Sequence, residues 1–139
     1  MLRITLPACR CTGNHAIRTL PYIPATSNNI STFAGTGTSG SCGEDGPVST
    51  TPLTSPDGLA VDSGSFFVYF SEPSCHRVRV ITLSTLLIST VVGTGDAFYS
   101  GDGSLGVVTS LVTPRGLCVD SSLNLYIAGM SSRMSCRSA

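Results

Sequence analysis

The chain has 139 residues, eight basic and eight acidic side chains, a hydrophobic fraction of 41% and a charged fraction of only 12%. Balanced charge excludes the electrostatic footprint of a nucleic-acid-binding protein or a polybasic membrane-surface segment. No apolar run approaches the ~18 residues of a transmembrane helix. The length suits one domain with a core, and a charged share about half the usual one, with much Gly and Ser, favours strands and turns.

Residues 1–13 stay unassigned. Met1 to Cys11 carries Arg3 but lacks an apolar stretch of signal-peptide length before Arg10 and Thr12. No export signal is visible, the compartment is not fixed, and an extracellular placement requires that the chain lack its natural start. Cys9-Arg10-Cys11 is too closely spaced for a zinc knuckle, which needs two to four intervening residues and a second pair.

The strongest signal is an internal repeat, which has to be recognised before any fold is assigned. Ile30-Ser31-Thr32-Phe33-Ala34-Gly35-Thr36-Gly37 returns as Ile88-Ser89-Thr90-Val91-Val92-Gly93-Thr94-Gly95, 58 residues on (35 to 93), with six of eight residues identical. Pro56-Asp57-Gly58-Leu59-Ala60-Val61-Asp62 returns as Pro114-Arg115-Gly116-Leu117-Cys118-Val119-Asp120 at the same offset of 58. With a one-residue gap, Asp45-Gly46 corresponds to Asp102-Gly103, and Val68-Tyr69-Phe70 to Leu125-Tyr126-Ile127. The two histidines share the pattern His-x-(Ile/Val)-Arg, in His15-Ala16-Ile17-Arg18 and His76-Arg77-Val78-Arg79.

Within the complete unit, strands are predicted at Leu59 to Val61, Phe67 to Phe70, Arg77 to Ile81 and Leu87 to Val92. Each is rich in Val, Ile, Leu, Phe or Tyr and bounded by turn formers. None has a helical period over ten or more residues. Four strands per unit is the stoichiometry of a propeller blade.

Several segments admit a chemical reading and a structural one. Gly35-Thr36-Gly37-Thr38-Ser39-Gly40 spells a dinucleotide fingerprint, yet Ser41-Cys42-Gly43 follows instead of the helix that would carry a pyrophosphate. The second copy has Phe98 at the last glycine, so a turn after a strand is expected. Glu44-Asp45-Gly46 and Asp102-Gly103 supply one or two carboxylates each, against the six to eight oxygens of a calcium site, and read as tight turns. Asp62 and Asp120 are expected to bond nearby backbone in the Asx manner. His15, Arg18, His76 and Arg79 recur with the repeat and read as inter-strand or inter-blade hydrogen-bonding groups. No catalytic, cofactor-binding or metal-ligating residue is assigned. Six cysteines could form a disulfide framework in 15 pairings. No cysteine position recurs between the copies, so scattered free thiols are expected instead.

The order Pro-x-Gly-Leu-x-Val-Asp, an aliphatic-Tyr strand, His-x-(Ile/Val)-Arg and Ile-Ser-Thr-x-x-Gly-Thr-Gly resembles the NHL repeat. It is most similar to the long-loop form seen in secreted bacterial proteins and the teneurin ectodomain, and it covers roughly residues 14–128. The resemblance implies an all-β, partial β-propeller of about two four-stranded blades, an arc of a six-bladed ring. The phase is half, whole, half: residues 14–37, 57–95 and 114–128, eight strands in all. Its repeat-defining positions are Gly35, Gly37, Gly58, Asp62, His76, Arg79, Gly93, Gly95, Gly116 and Asp120, with His15 and Arg18. After Ala128 the family would continue with another His-x-Ile-Arg strand, whereas residues 129–139 form an irregular Ser/Arg tail.

The resemblance implies an interaction or scaffold module, or a fragment of one, with a protein or carbohydrate partner and no cofactor. The alternative is a fragment of a propeller enzyme, a metal-dependent lyase or lactonase-like hydrolase, with no assembled active site. Unpaired blade faces and edges predict self-association, three copies completing a six-bladed ring.

Overall fold

The computed structural model describes residues 13–20 and 29–129. Strands β1 (Ile17–Thr19) and β2 (Ser31–Ala34) form one antiparallel pair. β3 (Gly46–Pro47), β4 (Leu59–Val61), β5 (Phe67–Glu72), β6 (Arg77–Thr82) and β7 (Leu87–Val92) form an antiparallel sheet in the order β3-β7-β6-β5-β4. β8 (Pro114–Val119) and β9 (Leu125–Gly129) make a second pair. The only helical turns among the described residues are short 3-10 segments at Pro73–Cys75 and Gly106–Val108. The chain is all-β, a partial β-propeller in which a complete blade stands between two half blades.

The complete blade is a meander of the four strands β4 to β7, and its side chains alternate as a pleated strand requires. Val68 and Phe70 of β5, Ile81 of β6 and Ile88 of β7 point one way and are fully or almost fully buried. They meet Ile17 and Ala34 from the preceding half blade in a single cluster, joined by Val48 and Leu53 from the connecting segment. Burial of a side chain such as Phe70 contributes about 1.5–3 kcal/mol. β8 packs beside β4 and β5, so the leading strands of successive blades lie next to each other.

Two features depart from the sequence reading. Residues around Gly46 are more than a tight turn, because Gly46 and Pro47 pair with Ile88 and Leu87 as a short strand on the outer edge of the blade. A two-residue strand ending in proline covers part of the edge of β7 and offers little to a further strand. The second departure is a disulfide: Cys42 and Cys75, 33 residues apart, are bonded, and the expectation of free thiols is corrected at these two positions. Non-recurrence argued against a bridge, but this bridge joins a connecting loop to the turn before β6, two sites that only the folded blade brings together. Cys118 is free and exposed. Cys9, Cys11 and Cys136 lie outside the described residues, as does the Ser/Arg tail beyond Gly129.

Peptide mapping without reduction should recover the Cys42–Cys75 link while Cys118 alkylates directly. Replacing Cys42 and Cys75 together by Ser should lower the unfolding free energy by about 3–4 kcal/mol, the chain-entropy value for a loop of this length. An unchanged urea midpoint would contradict that role.

Candidate functional site

The recurring polar residues sit where blades meet or turn. His15 and His76 each adopt a left-handed backbone conformation, with φ of 44° and 51°, a region that His enters more readily than most residues. His76 closes the 3-10 turn at Pro73–Cys75 and directs the chain into β6. Its Nδ1 accepts the backbone N–H of Thr113 at 3.2 Å, and Nδ1 of His15 accepts that of Ser55 at the same distance. Ser55 and Thr113, each just before the proline that opens the next blade, are themselves left-handed at φ 45° and 42°. Each histidine therefore ties one blade to the start of the next. Gly35 and Gly93 complete the junction: both have positive φ, and a Cβ on either would overlap the carbonyl of His15 or His76.

Asp62 and Asp120 organise the turn after the leading strand. Oδ1 of Asp62 accepts the N–H groups of Phe66 and Phe67 at 2.8 and 2.6 Å, and Oδ2 that of Gly64 at 3.0 Å. Asp120 accepts from the N–H groups of Ser122 and Asn124 and from the Asn124 amide and Tyr126 hydroxyl. Hydrogen bonds from the Asn124 side chain and backbone, with those from Tyr126 and Ser122, hold the Asp120 carboxyl below its ordinary value. The same bond raises the Tyr126 phenol. Gly58 immediately precedes β4, and Gly116 lies in β8. Gly58 donates to Ser71 Oγ at 2.8 Å, and that hydroxyl donates to the Arg115 carbonyl of the next half blade at 3.0 Å.

Arg79 differs from its counterpart Arg18. Arg18 is exposed on β1, whereas Arg79 is fully buried on β6 beside the equally buried Glu72. The connecting segment from β2 wraps over it. Nη2 of Arg79 donates to the Glu44 carbonyl at 2.9 Å and to Asp45 Oδ1 at 3.0 Å, and Thr90 of β7 donates to the same oxygen at 3.2 Å. Arg77 donates from Nε to Glu72 Oε2 at 2.9 Å and from Nη2 to the Gly43 carbonyl at 2.8 Å, and its Nη2 lies 2.8 Å from the same Glu72 oxygen as an ion pair. The N–H of Thr54 donates to Glu72 Oε1 at 2.6 Å. Burial and the neighbouring Arg77 charge lower the affinity of Arg79 for its proton, while Glu72 and Asp45 oppose them. Nη1 of Arg79 lies 3.7 Å from Glu72 Oε2, and neither Nη1 nor Nε has a hydrogen-bond partner. Each buried donor left so costs about 1–3 kcal/mol, which the carboxylates around it offset. Burial pushes the Asp45 carboxyl up, but bonds from Arg79 and Thr90 with the Arg79 charge outweigh it and hold the group below its ordinary value.

Gly37 and Gly95 have positive φ in the loops that leave β2 and β7. No helix follows either one, and the glycine-rich run is a loop. Among the described residues no three His, Cys, Asp or Glu side chains gather as a metal site would require, and no helix there is long and apolar enough to cross a membrane. Sequence reasoning took the segment between β7 and β8 only as turns, with Phe98 in place of a glycine and Asp102-Gly103 as a tight turn, and passed over its aromatic pair. Phe98 and Tyr99 there are 54% and 53% exposed, and the Tyr99 hydroxyl donates to Asp102 Oδ1 at 2.6 Å. That pair of aromatic residues, absent from the first copy, was the available signal.

No family model and no curated protein matches the chain. Solved structures share its fold. A protein of unknown function from Bacteroides thetaiotaomicron VPI-5482 superposes with a TM-score of 0.71 at 18% identity over 85% of this chain. Auxiliary nutrient binding proteins from the same strain and from Bacteroides ovatus ATCC 8483 give TM-scores of 0.66 and 0.63, each at 22% identity over 84% of this chain. The chain spans 28% of the first structure and 30% of each of the others. At these identities the likeness shows the fold alone.

The inter-blade bond makes His76→Ala less stable by about 1–3 kcal/mol in urea unfolding. His76→Asn should recover most of that loss, since Asn tolerates the left-handed conformation and carries an acceptor near the Nδ1 position; equal loss in both variants would count against an acceptor role. Acid should act through Asp45 and Asp120. Both are lowered on folding, so their stabilisation is complete above the ordinary aspartate value and is lost as pH falls through the lowered one. From about pH 5 downward, Asp45→Asn/Asp120→Asn should lose stability less steeply than the unaltered chain, and parallel pH profiles would refute the assignment.

Proposed function

We propose that the chain is part of an NHL-type interaction module, an arc of a six-bladed ring that holds a ligand or partner on its loops. The observation that carries this reading is the use to which the repeated polar groups are put. His15 and His76 bind backbone of the next blade, Asp62 and Asp120 their own turns, and Arg79 the incoming segment. Groups committed in this way build blades, and recognition is left to the loops between them. Two structural neighbours are auxiliary nutrient binding proteins, which supports a binding role. Two blades of six would be about a third of a ring, in keeping with the 28–30% of each neighbour that the chain spans.

Phe98 and Tyr99 are the contact residues of this reading. Exposed aromatic rings on a structured loop are the side chains that most often anchor a partner, and the bond to Asp102 fixes the Tyr99 ring. Carbohydrate or a protein surface is the partner class. The Cys42–Cys75 disulfide supports an oxidising compartment as the place of action.

Titration calorimetry against a panel of soluble oligosaccharides tests the reading. At least one should bind, and Phe98→Ala/Tyr99→Ala should weaken it about tenfold or more, some 1.4 kcal/mol. Unaltered affinity in the double variant would remove the aromatic pair from the site. Stoichiometric Zn²⁺ or Ca²⁺ binding that His76→Ala abolishes would favour the enzyme reading instead.

A further inference from the structure

The sequence holds one Asn-x-Ser/Thr triplet, Asn29-Ile30-Ser31, the acceptor pattern for an N-linked glycan. The repeat aligns Ile30 with Ile88, and Ile88 lies within β7 at 1% exposure. A triplet placed in the same way would be closed to a transferase. The structure separates the two copies at this point. β7 starts at Leu87 but β2 starts at Ser31, so Asn29 and Ile30 precede their strand and lie outside its ladder. Asn29, Ile30 and Ser31 are all exposed, Ile30 at 52%. The cause is visible in the chain: His15 and His76 are 61 residues apart and Ile30 and Ile88 are 58 apart, so the first copy has three more residues between histidine and last strand. In the complete blade four residues, 83–86, join β6 to β7, and the N–H groups of Thr85 and Leu86 both donate to the Thr82 carbonyl in a tight turn. The first copy joins β1 to β2 through residues 20–30. Connections of this kind run over the surface and accept insertions that the strands cannot.

We propose that Asn29 is a modification site and carries an N-linked oligosaccharide at the entrance to β2. The reaction joins the side-chain nitrogen of Asn29 to the anomeric carbon of a lipid-diphosphate-linked oligosaccharide. A carbon–nitrogen bond forms and the anomeric carbon–oxygen bond breaks; the lipid diphosphate leaves with the electron pair, and the amide nitrogen gives up one proton. The hydroxyl two residues on is the group that marks the acceptor. Ser31 presents it from an exposed position on β2, opposite Thr19. The inference rests on the oxidising compartment read from the Cys42–Cys75 disulfide, because disulfide formation and this transfer share the secretory lumen. A glycan at Asn29 also sets a bulky, solubilising group beside Ile30, an aliphatic side chain about half in water.

Translation of the full chain behind a cleavable secretion leader, in the presence of endoplasmic-reticulum microsomes, tests the site on the protease-protected fraction. On a reducing gel the protected chain should run as a heavier band that peptide-N-glycosidase collapses, leaving aspartate at the attachment residue. Asn29→Gln and Ser31→Ala, both at exposed positions, should each abolish that band, and Ser31→Thr should keep it. A protected unaltered chain with no heavier band, or a heavier band that survives Asn29→Gln, would overturn the inference. Peptide mapping of the same fraction without reduction separates the two readings. A formed Cys42–Cys75 bond beside an unmodified Asn29 sinks the glycan alone, whereas a protected chain with neither sinks the oxidising compartment as well.

Discussion

Everything in this arc depends on how the chain is fastened as it crosses from the outer strand of one blade to the leading strand of the next. Apart from the two residues of β3 that pair with β7, that crossing has no ladder, and its backbone groups must find other partners or stay in water. The Arg79 guanidinium supplies the main fastening, holding the Glu44 carbonyl and the Asp45 carboxylate with one nitrogen. Arg77 adds the Gly43 carbonyl, and the disulfide fixes Cys42 next to it. Once the segment is held, Val48 and Leu53 can be buried and Gly46 and Pro47 can border β7. A buried arginine is costly unless it is surrounded by opposite charge, and Glu72 lies beside it for that reason.

A second constraint acts at the leading edge of each blade. Successive leading strands lie side by side, so the backbone approaches its neighbour closely at Gly58, where a Cβ would overlap the Arg115 carbonyl. Ser71 uses its hydroxyl on both sides of that approach. The histidine bond acts at the same end of β5 and β6, where the turn into β6 carries His76 to Thr113, two residues before Arg115. The two contacts together fasten the start of β8 to that end of the blade.

Much of the blade was legible because the chain repeats. Strands β4 and β7 begin and end where the pattern of apolar residues places them, and the half blades follow from the same offsets. The pattern ended β5 two residues early because Ser71 and Glu72 are polar and read as turn formers. Both are buried in strand because each has a specific partner, Arg115 for one and Arg77 for the other. Glu72 and Arg77 occur in one copy only, so repetition could not reveal them. The disulfide and β3 escaped for a related reason: they are contacts between segments distant in sequence, and neither leaves a periodic trace.

The disulfide and the Glu72–Arg77 pair both hold the central blade, and among the described residues neither half blade has an equivalent. In a repeat array, stability is approximately the sum of unit and neighbour terms, so unequal units make an uneven molecule. Local opening costs least where such reinforcement is missing. Amide protection should therefore fall away from β5 and β6 toward both ends of the chain.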